Sequence, residues 1–588
     1  MILPPGFLGA LTLMILPIAK QLKGYTASAL QADLSAGLTV AVMLIPQAMA
    51  YALLAGLPPV IGLYSATAPL IVYALFASSR QLAVGPVAIV SLLSLSGVSQ
   101  LAEVGSGDFI AYSILLALLV GVIQTLLGLV RAGVIVNFLS HSVISGFTSA
   151  AALIIGLSQL RHLFGLRLPS AHSTLEQLWL IVSNLDSTHL STLVIGVASI
   201  ALLVAARRVS KRFPAPILVV AAGAALVYGL GLHNAGVSIV GDIPRGLPRL
   251  SLPPVDLAVV LRLLPVALTI ALVGFMESFA VAQSIASREK YKLSANQELI
   301  ALGIANLASA LFGGYAVTGG FSRTAVNYQA GAKTQLAALV TVLVLIITLL
   351  FLTPLFYYLP NAVLAAIVLV AVSSLIDWRY PRALFRIKPI DGWTAVVTFA
   401  ATLLLDVELG ILVGVIFSLA VFIWRSAHPH IAELGYLAEQ GIYRNVRRYP
   451  QAQRYQDIAI LRVDAALYFA NMAYLERYLN TLIAEREGLK QIVLDFSAIN
   501  DIDAVALETL EALMHAYAHQ GIRVLVCGMK GPVRDVVYRA GWFDTFADSL
   551  SYNTVEQALA ACDACMLPPE PEAQPLTAAD DIMLRVGI

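Results

Sequence analysis

The feature that most limits this chain is the repeated return, through its first 430 residues, of apolar stretches long enough to cross a lipid bilayer. Crossing takes about 20 mostly apolar residues, because the interior holds no water and each backbone amide must find a partner inside its own helix. Such stretches begin near Asp33, Pro59, Pro86, Phe109, Asn137, Ser191, Ala215, Leu261, Ala295, Phe321, Leu336, Asn361, Gly392 and Val407. The sequence thus predicts fourteen membrane helices. Charge is distributed to match, with about 37 Lys, Arg, Asp and Glu side chains before residue 431 and about 34 in the much shorter remainder. A chain that is 59% hydrophobic and 12% charged is not a wholly soluble protein. Its formal net charge of +1 gives no footprint for nucleic acid. Three cysteines, Cys527, Cys562 and Cys565, are too few and too late to staple a secreted fold.

The apolar run from Phe7 to Ala19 carries its charges, Lys20 and Lys23, after it instead of before it. That order argues against a cleaved signal peptide and for an amphipathic lead-in lying on the membrane surface. Orientation follows the positive charges between spans. With the N-terminus inside, the cytoplasmic segments gather Arg207, Arg208, Lys211 and Arg212, then Arg379, Arg382, Arg386 and Lys388. An even number of spans returns the C-terminal region to the same side, so both termini are expected in the cytoplasm of a bacterial-type inner membrane.

Two segments separated by 230 residues align: Val42 to Ala52 lies over Leu272 to Ala282, matching Gln47 with Glu277 and Ala50 with Ala280. An offset of 234 carries Gly85-Pro86 onto Gly319-Gly320. Each half therefore holds one polar helix, followed two spans later by a short helix that begins at glycine or proline. Seven spans per half is an odd number, which forces the halves into opposite orientations and gives the inverted-repeat plan of secondary transporters. A helix starting in mid-membrane leaves its first amides unpaired and carries about half a positive charge there. Two such starts facing each other form a backbone anion site, with donors at Val87 and Ala88 in one half and at Phe321, Ser322 and Arg323 in the other. Pro86 suits a first helical position, and Gly319 and Gly320 allow close backbone approach. Arg323 is a permanent cation at the membrane centre and favours an anionic solute, unless it only pairs with a carboxylate or carbonyl. Glu277, isolated on the eighth span, is expected to exchange a proton during transport, with a static pair to Arg323 as the competing role. Gln47 and Tyr51, one turn apart, hydrogen-bond either the solute or a neighbouring helix.

These residues also carry a resemblance. Gly37-Leu-Thr-Val through Ile45-Pro-Gln-Ala-Met-Ala-Tyr-Ala, Pro59-Val-Ile-Gly-Leu-Tyr-Ser-Ala, Gly146-Phe-Thr-Ser and Gly319-Gly-Phe-Ser-Arg-Thr-Ala-Val-Asn resemble the SulP anion permeases, relatives of the solute carrier 26 proteins. The match departs at Ile61, where an aromatic ring is commoner. The resemblance implies a fourteen-span core-and-gate fold with the third and tenth spans as facing half-helices, elevator-like movement of the core, and a homodimer. It places the anion near Val87, Ala88, Phe321 and Ser322, with Gln47 and Tyr51 alongside and Glu277 at the coupling position. Relatives coupled to sodium carry aspartate there, so glutamate favours protons.

After about Gln456 the pattern alternates strands with amphipathic helices, as at Ile458 to Val463, Gln491 to Phe496 and Ala504 to His519. This small α/β region resembles a STAS domain. The serine phosphorylated in anti-sigma antagonist relatives is missing, since Asp503 is followed by Ala504. The expected organisation is a transmembrane domain over 1–430, with repeats at about 33–232 and 261–427, a linker over 431–455, the STAS domain over 456–565 and a tail over 566–588. Cys562-Asp-Ala-Cys565 and His428-Pro-His430 lack the second ligand pair of a metal site. Gly331-Ala-Lys-Thr lacks the glycine-rich run of a phosphate loop, and Asp406 and Glu408 read as turn charges. No nucleophile and base stand in register, so neither an enzyme nor a cofactor is expected. The reading is a secondary transporter of sulfate, bicarbonate or dicarboxylate, coupled to protons. A nucleobase-type permease and an uncoupled anion channel or voltage-responsive protein are the alternatives.

Overall fold

The computed structural model describes residues 17–133, 140–166, 168, 174–209, 215–405, 407–550 and 552–562. It divides into two compact units, Met1–Ser418 and Leu419–Ile588. Helices in the membrane unit begin close to the predicted points. The first seven spans are Ala27–Leu54, Pro59–Phe76, Ala88–Ser99, Gly107–Leu129, His141–Phe164, Leu190–Val209 and Ala215–Gly229. The second seven are Leu257–Arg288, Ala295–Leu311, Phe321–Gln329, Leu336–Phe356, Asn361–Val372, Pro389–Leu404 and Val407–Ala427. The first and eighth start earlier than hydropathy suggests because polar caps extend them. Thr26 Oγ1 accepts from the Ala29 amide at 3.2 Å, and Asp256 Oδ1 from the Ala258 amide at 2.9 Å. The expected start at Asn137, most of Phe7 to Ala19, and Lys211, Arg212, Asp406 and Cys565 lie outside the described residues.

Packing obeys the internal two-fold. The first span packs on the eleventh as the eighth packs on the fourth, and the fifth packs on the thirteenth as the twelfth packs on the sixth. Spans 1–4 and 8–11 thereby form one bundle, the core, and spans 5–7 and 12–14 the other, the gate. Small residues let the backbones touch. A Cβ on Gly37 would meet Ala337 O at 2.4 Å, and one on Gly146 would meet Ala395 O at 2.2 Å.

Between the second and third spans, and again between the ninth and tenth, the chain crosses the core as extended peptide. The two stretches pair antiparallel as β1 (Val84–Gly85) and β2 (Thr318–Gly319), with Val84 opposite Gly319 and Gly85 opposite Thr318. Inside a bilayer each of their amides needs a partner, and neighbouring spans provide side chains for the purpose. Ser65 Oγ accepts from the Tyr315 amide at 2.9 Å, Asn306 Oδ1 from Val317 at 2.8 Å, Ser278 Oγ from Gly319 at 2.8 Å and Thr324 Oγ1 from Ala83 at 3.0 Å. Asn306 Nδ2 also donates to Val317 O and Gln124 Oε1, each at 3.0 Å.

Two buried carboxylates tie down the ends of the core. Glu298 accepts from the Tyr73 hydroxyl at 2.5 Å, the Ser78 amide at 2.8 Å, the Ser78 hydroxyl at 2.6 Å and the Ser79 amide at 2.7 Å. Asp33 accepts from the Tyr25 hydroxyl at 2.7 Å, the Lys333 and Thr334 amides at 2.6 and 3.1 Å, and the Thr334 hydroxyl at 2.6 Å. The Gly331-Ala-Lys-Thr turn is therefore bound to the first span through Asp33.

The second unit holds a five-stranded sheet in the order β4-β3-β5-β6-β7. Here β3 is Ile431–Leu437, β4 Ile442–Asn445, β5 Ile458–Val463, β6 Gln491–Asp495 and β7 Arg523–Cys527. The last three run parallel, crossed over by helices Phe469–Glu485 and Ala504–His519. The expected linker over 431–455 is corrected by β3 and β4, which pair antiparallel and add to β5. Ala432 and Leu434 bury against Ile458 and Ile460, so this hairpin is part of the domain's core. The short apolar alternation of Ile431 to Leu437 is interrupted by Glu433 and Gly435, which hid it from the pattern. The tail over 566–588 lies outside the described residues.

The Asn306 bridge yields a stability prediction. Asn306→Leu strands the Val317 amide and carbonyl in the core at about 1–3 kcal/mol each. Thermal unfolding of the detergent-solubilised protein, followed by tryptophan fluorescence, is expected to shift down by several degrees. An unchanged midpoint would rule out the bridging role.

Candidate functional site

The third span starts at Ala88 after Val87, and the tenth at Phe321 after Gly320; neither start has a side-chain cap. The first amides of each helix are left open: Val87, Ala88 and Ile89 on one side, Phe321, Ser322 and Arg323 on the other. Both helix starts open on one cavity of about 50 Å³. A single water needs roughly 10–15 Å³ of such space, so the cavity takes a solute of a few heavy atoms. Gln47 and Tyr51 of the first span, Glu277 of the eighth, and Ala371, Val372 and Leu375 at the end of the twelfth complete its wall.

The solute-binding and coupling residues that the sequence put forward, Gln47, Tyr51, Val87, Ala88, Glu277, Phe321, Ser322 and Arg323, border this cavity. Their parts differ from expectation in two places. Pro86 is not the first helical residue: it sits one position ahead of Val87, in extended chain, because β1 continues the pairing with β2 up to Gly85. Its carbonyl, unable to enter the helix ladder, accepts from Arg323 Nη1 at 2.6 Å. The static pair between Arg323 and Glu277 is likewise absent among the described residues, since Arg323 Nε and Nη2 and Glu277 Oε2 are buried without hydrogen-bond partners. Phe321, which also lines the cavity, is 59% exposed.

Arg323 is 2% exposed, and a Cβ on Gly320 would lie 2.9 Å from its Nη2, so the glycine makes room for the guanidinium. A buried cation with two unbonded nitrogens, flanked by two helix N-termini, is an arrangement that an anion completes. Unpartnered acceptors, Gln47 Oε1 and Glu277 Oε2, stand on the same wall. The cavity thus combines donors for a negative solute with a carboxyl able to hold a proton. Tyr315 was missed by sequence reading. Its hydroxyl shares a 2.8 Å hydrogen bond with Ser91 Oγ, which donates to Val87 O at 2.8 Å, bracing the third span from behind. A lone tyrosine in an apolar context gives no periodic signal, and the same holds for the twelfth-span wall.

The remaining sequence candidates do not form a site. His430 Nδ1 is 2.9 Å from Asp464 Oδ2, His428 Nδ1 is 2.8 Å from Trp424 O, and Cys562 Sγ bonds Ala558 O at 3.3 Å. Burial pushes the Cys527 thiol up to about 12, leaving it a packing residue. No group of three or more metal-ligating side chains occurs among the described residues. Asp503 caps its helix by accepting from the Ala506 amide at 2.7 Å.

Known proteins resemble this chain in sequence and in fold. Residues 30–398 match the family model described as "Sulfate permease family", and residues 449–558 match the STAS domain. "Sulfate transporter 4.1, chloroplastic" of Arabidopsis thaliana is 39% identical over 550 residues, covering 90% of this chain and 80% of the relative. A probable sulfate transporter of Mycobacterium tuberculosis is 34% identical over 549 residues, covering 93% and 97%. The murine Solute Carrier 26 family member A9 anion transporter, in its inward-facing state, superposes with a TM-score of 0.87 at 28% identity, over 94% of each chain. The transmembrane domain of a cyanobacterial bicarbonate transporter, BicA, shares the fold at a TM-score of 0.58 and 24% identity, covering 67% of this chain and 98% of that one.

Substituting Arg323→Gln keeps a donor near Pro86 and deletes the charge. Loss of a charged hydrogen bond costs about 1.5–3 kcal/mol. Anion binding to the purified protein, read as anion-dependent thermal stabilisation, is expected to weaken about tenfold or more. Equal stabilisation of variant and native protein would remove Arg323 from the site.

Proposed function

The chain belongs to the sulfate permease family and carries a STAS domain, and from that premise we propose that it is a secondary active transporter of a small oxyanion, with sulfate as the first candidate. The observation that supports this most directly is the cavity between the two half-helix N-termini, beside the unpaired nitrogens of Arg323. The sulfate transporters among its relatives support the choice of solute. Bicarbonate and dicarboxylates suit the same backbone donors. The protein is a transporter and not an enzyme.

In this reading Val87, Ala88, Phe321 and Ser322 present amides to the anion, Arg323 neutralises it, and Gln47 and Tyr51 orient it. The core carries the site past the gate in an elevator-like movement, exposing it alternately to each side. Glu277 couples that movement to protons: it takes a proton with the anion on the outer side and releases it inside, so only the loaded or the empty core crosses. The protein works as a homodimer in a bacterial-type inner membrane with both termini cytoplasmic, an orientation supported by the basic groups around Arg208 and Arg382.

Reconstituted liposomes test the reading. Labelled sulfate, bicarbonate, fumarate, nitrate and chloride are offered under pH or sodium gradients applied separately. Sulfate uptake driven by external acid, and indifferent to sodium, is the expected result. Conductive chloride flux without either gradient would favour the channel alternative instead. Glu277→Gln is expected to retain sulfate exchange and to lose acceleration by the pH gradient; a variant still driven by acid would end the coupling role. Truncation after Ala427, deleting the STAS domain, is expected to lower uptake without abolishing it, and a folded but inactive truncation would make that domain part of the transport cycle.

A further inference from the structure

The twelfth span ends at Val372, and a nine-residue helix, Arg379–Ile387, follows before the thirteenth begins at Pro389. Lys388 closes this helix and caps the next span at once, so no loop separates them; a short helix joined directly to the start of a span belongs at the bilayer boundary. None of its residues is buried. At 100° per residue, Arg379, Arg382 and Arg386 fall within one narrow stripe, and Tyr380, Leu384 and Ile387 fall on the opposite face. Ile387 is 79% exposed, and Trp378, just ahead of the helix, 59%. Asp377 is committed to capping, accepting from the Arg379 and Tyr380 amides at 2.9 and 3.1 Å. None of the three guanidinium groups has an ion-pair or hydrogen-bond partner among the described residues. The Phe385 ring meets Trp393 at 5.6 Å and Tyr380 meets His141 at 4.7 Å, which fixes the helix on the thirteenth and fifth spans.

We propose that this helix is a recognition site for the phosphate groups of anionic phospholipids. The exposed Ile387 end of its apolar face dips into the acyl boundary while the arginine stripe, which the protein leaves unneutralised, takes the phosphodiesters of the adjoining leaflet. Charge complementarity and the helix's fixed depth between two spans select a lipid headgroup over a soluble partner. The site has a consequence for the cavity. Ala371, Val372 and Leu375 line the anion pocket a few residues before Arg379, so lipid held on the stripe steadies one wall of the transport site.

Retention of phosphatidylglycerol against phosphatidylcholine by the full-length protein, measured by native mass spectrometry from mixed micelles, tests the assignment without reference to transport. Each basic side chain near an anionic surface contributes about a fivefold preference, so Arg382→Gln/Arg386→Gln is expected to reduce phosphatidylglycerol retention about 20- to 30-fold. Arg444→Gln, a control in the second unit, is expected to match the native protein. The pair Arg379→Gln/Arg386→Gln serves as a second variant should the first not yield monodisperse protein. Equal retention by native and stripe variants would overturn the site. Displacement of the lipid by millimolar inorganic phosphate would overturn its assignment to a headgroup held in the bilayer.

Discussion

Two short peptides pairing antiparallel in the middle of a membrane bundle set the terms for everything around them. Because Val84 faces Gly319 and Gly85 faces Thr318, the helices that follow leave the ribbon in opposite directions with their N-termini at one place. A slip of one residue would displace one helix start by about 3.3 Å and turn its side chains to the other face. Arg323 would then lose Pro86 O, and its guanidinium would have no carbonyl to fix it. The ribbon's short length is a condition of its use. Two residues per strand need few partners, and Ser65, Ser278, Asn306 and Thr324 provide them from the surrounding spans.

The electrostatic character of the cavity follows from which backbone groups are engaged. At the third span the Pro86 carbonyl is occupied by Arg323, and Val87 O receives both the Ser91 amide at 3.0 Å and the Ser91 hydroxyl at 2.8 Å. The carbonyls are turned to internal duties while the amides stay open, so the peptide chain itself acts as an electropositive surface. Two side-chain acceptors, on Gln47 and Glu277, interrupt that surface. Both line the same cavity as Arg323.

Much of this was legible in the residues because its causes are local or periodic. Apolar length located the spans, and the offset between Gln47 and Glu277 exposed the repeat. The glycine and proline pairs at 85–86 and 319–320 marked the helix breaks. Caps shifted boundaries because Thr26 and Asp256 lie outside the apolar windows. What escaped notice depends on tertiary approach. Asn306 and Ser278 sit in ordinary helical sequence, and only the fold brings them against β2. Glu298 and Asp33 read as single charges near span ends, although each collects four donors, most of them more than 200 residues away in sequence. The β3–β4 hairpin was lost for a different reason, since two short strands broken by glycine and glutamate carry less pattern than one long one.

The bonds that quiet the first unwound segment come mostly from the second half. Glu298 of the ninth span holds the turn after the second; Thr324 of the tenth holds Ala83; Ser65 of the second holds Tyr315. A ribosome delivers the first seven spans before any of their second-half partners exist. During that interval the Ser78, Ser79 and Ala83 amides must stay hydrated or be sheltered by the insertion machinery, so the newly made first half is an obligate intermediate that cannot settle into lipid on its own. Mutual satisfaction of the two halves thus sets an order of events at birth, with closure of the core waiting on the tenth span.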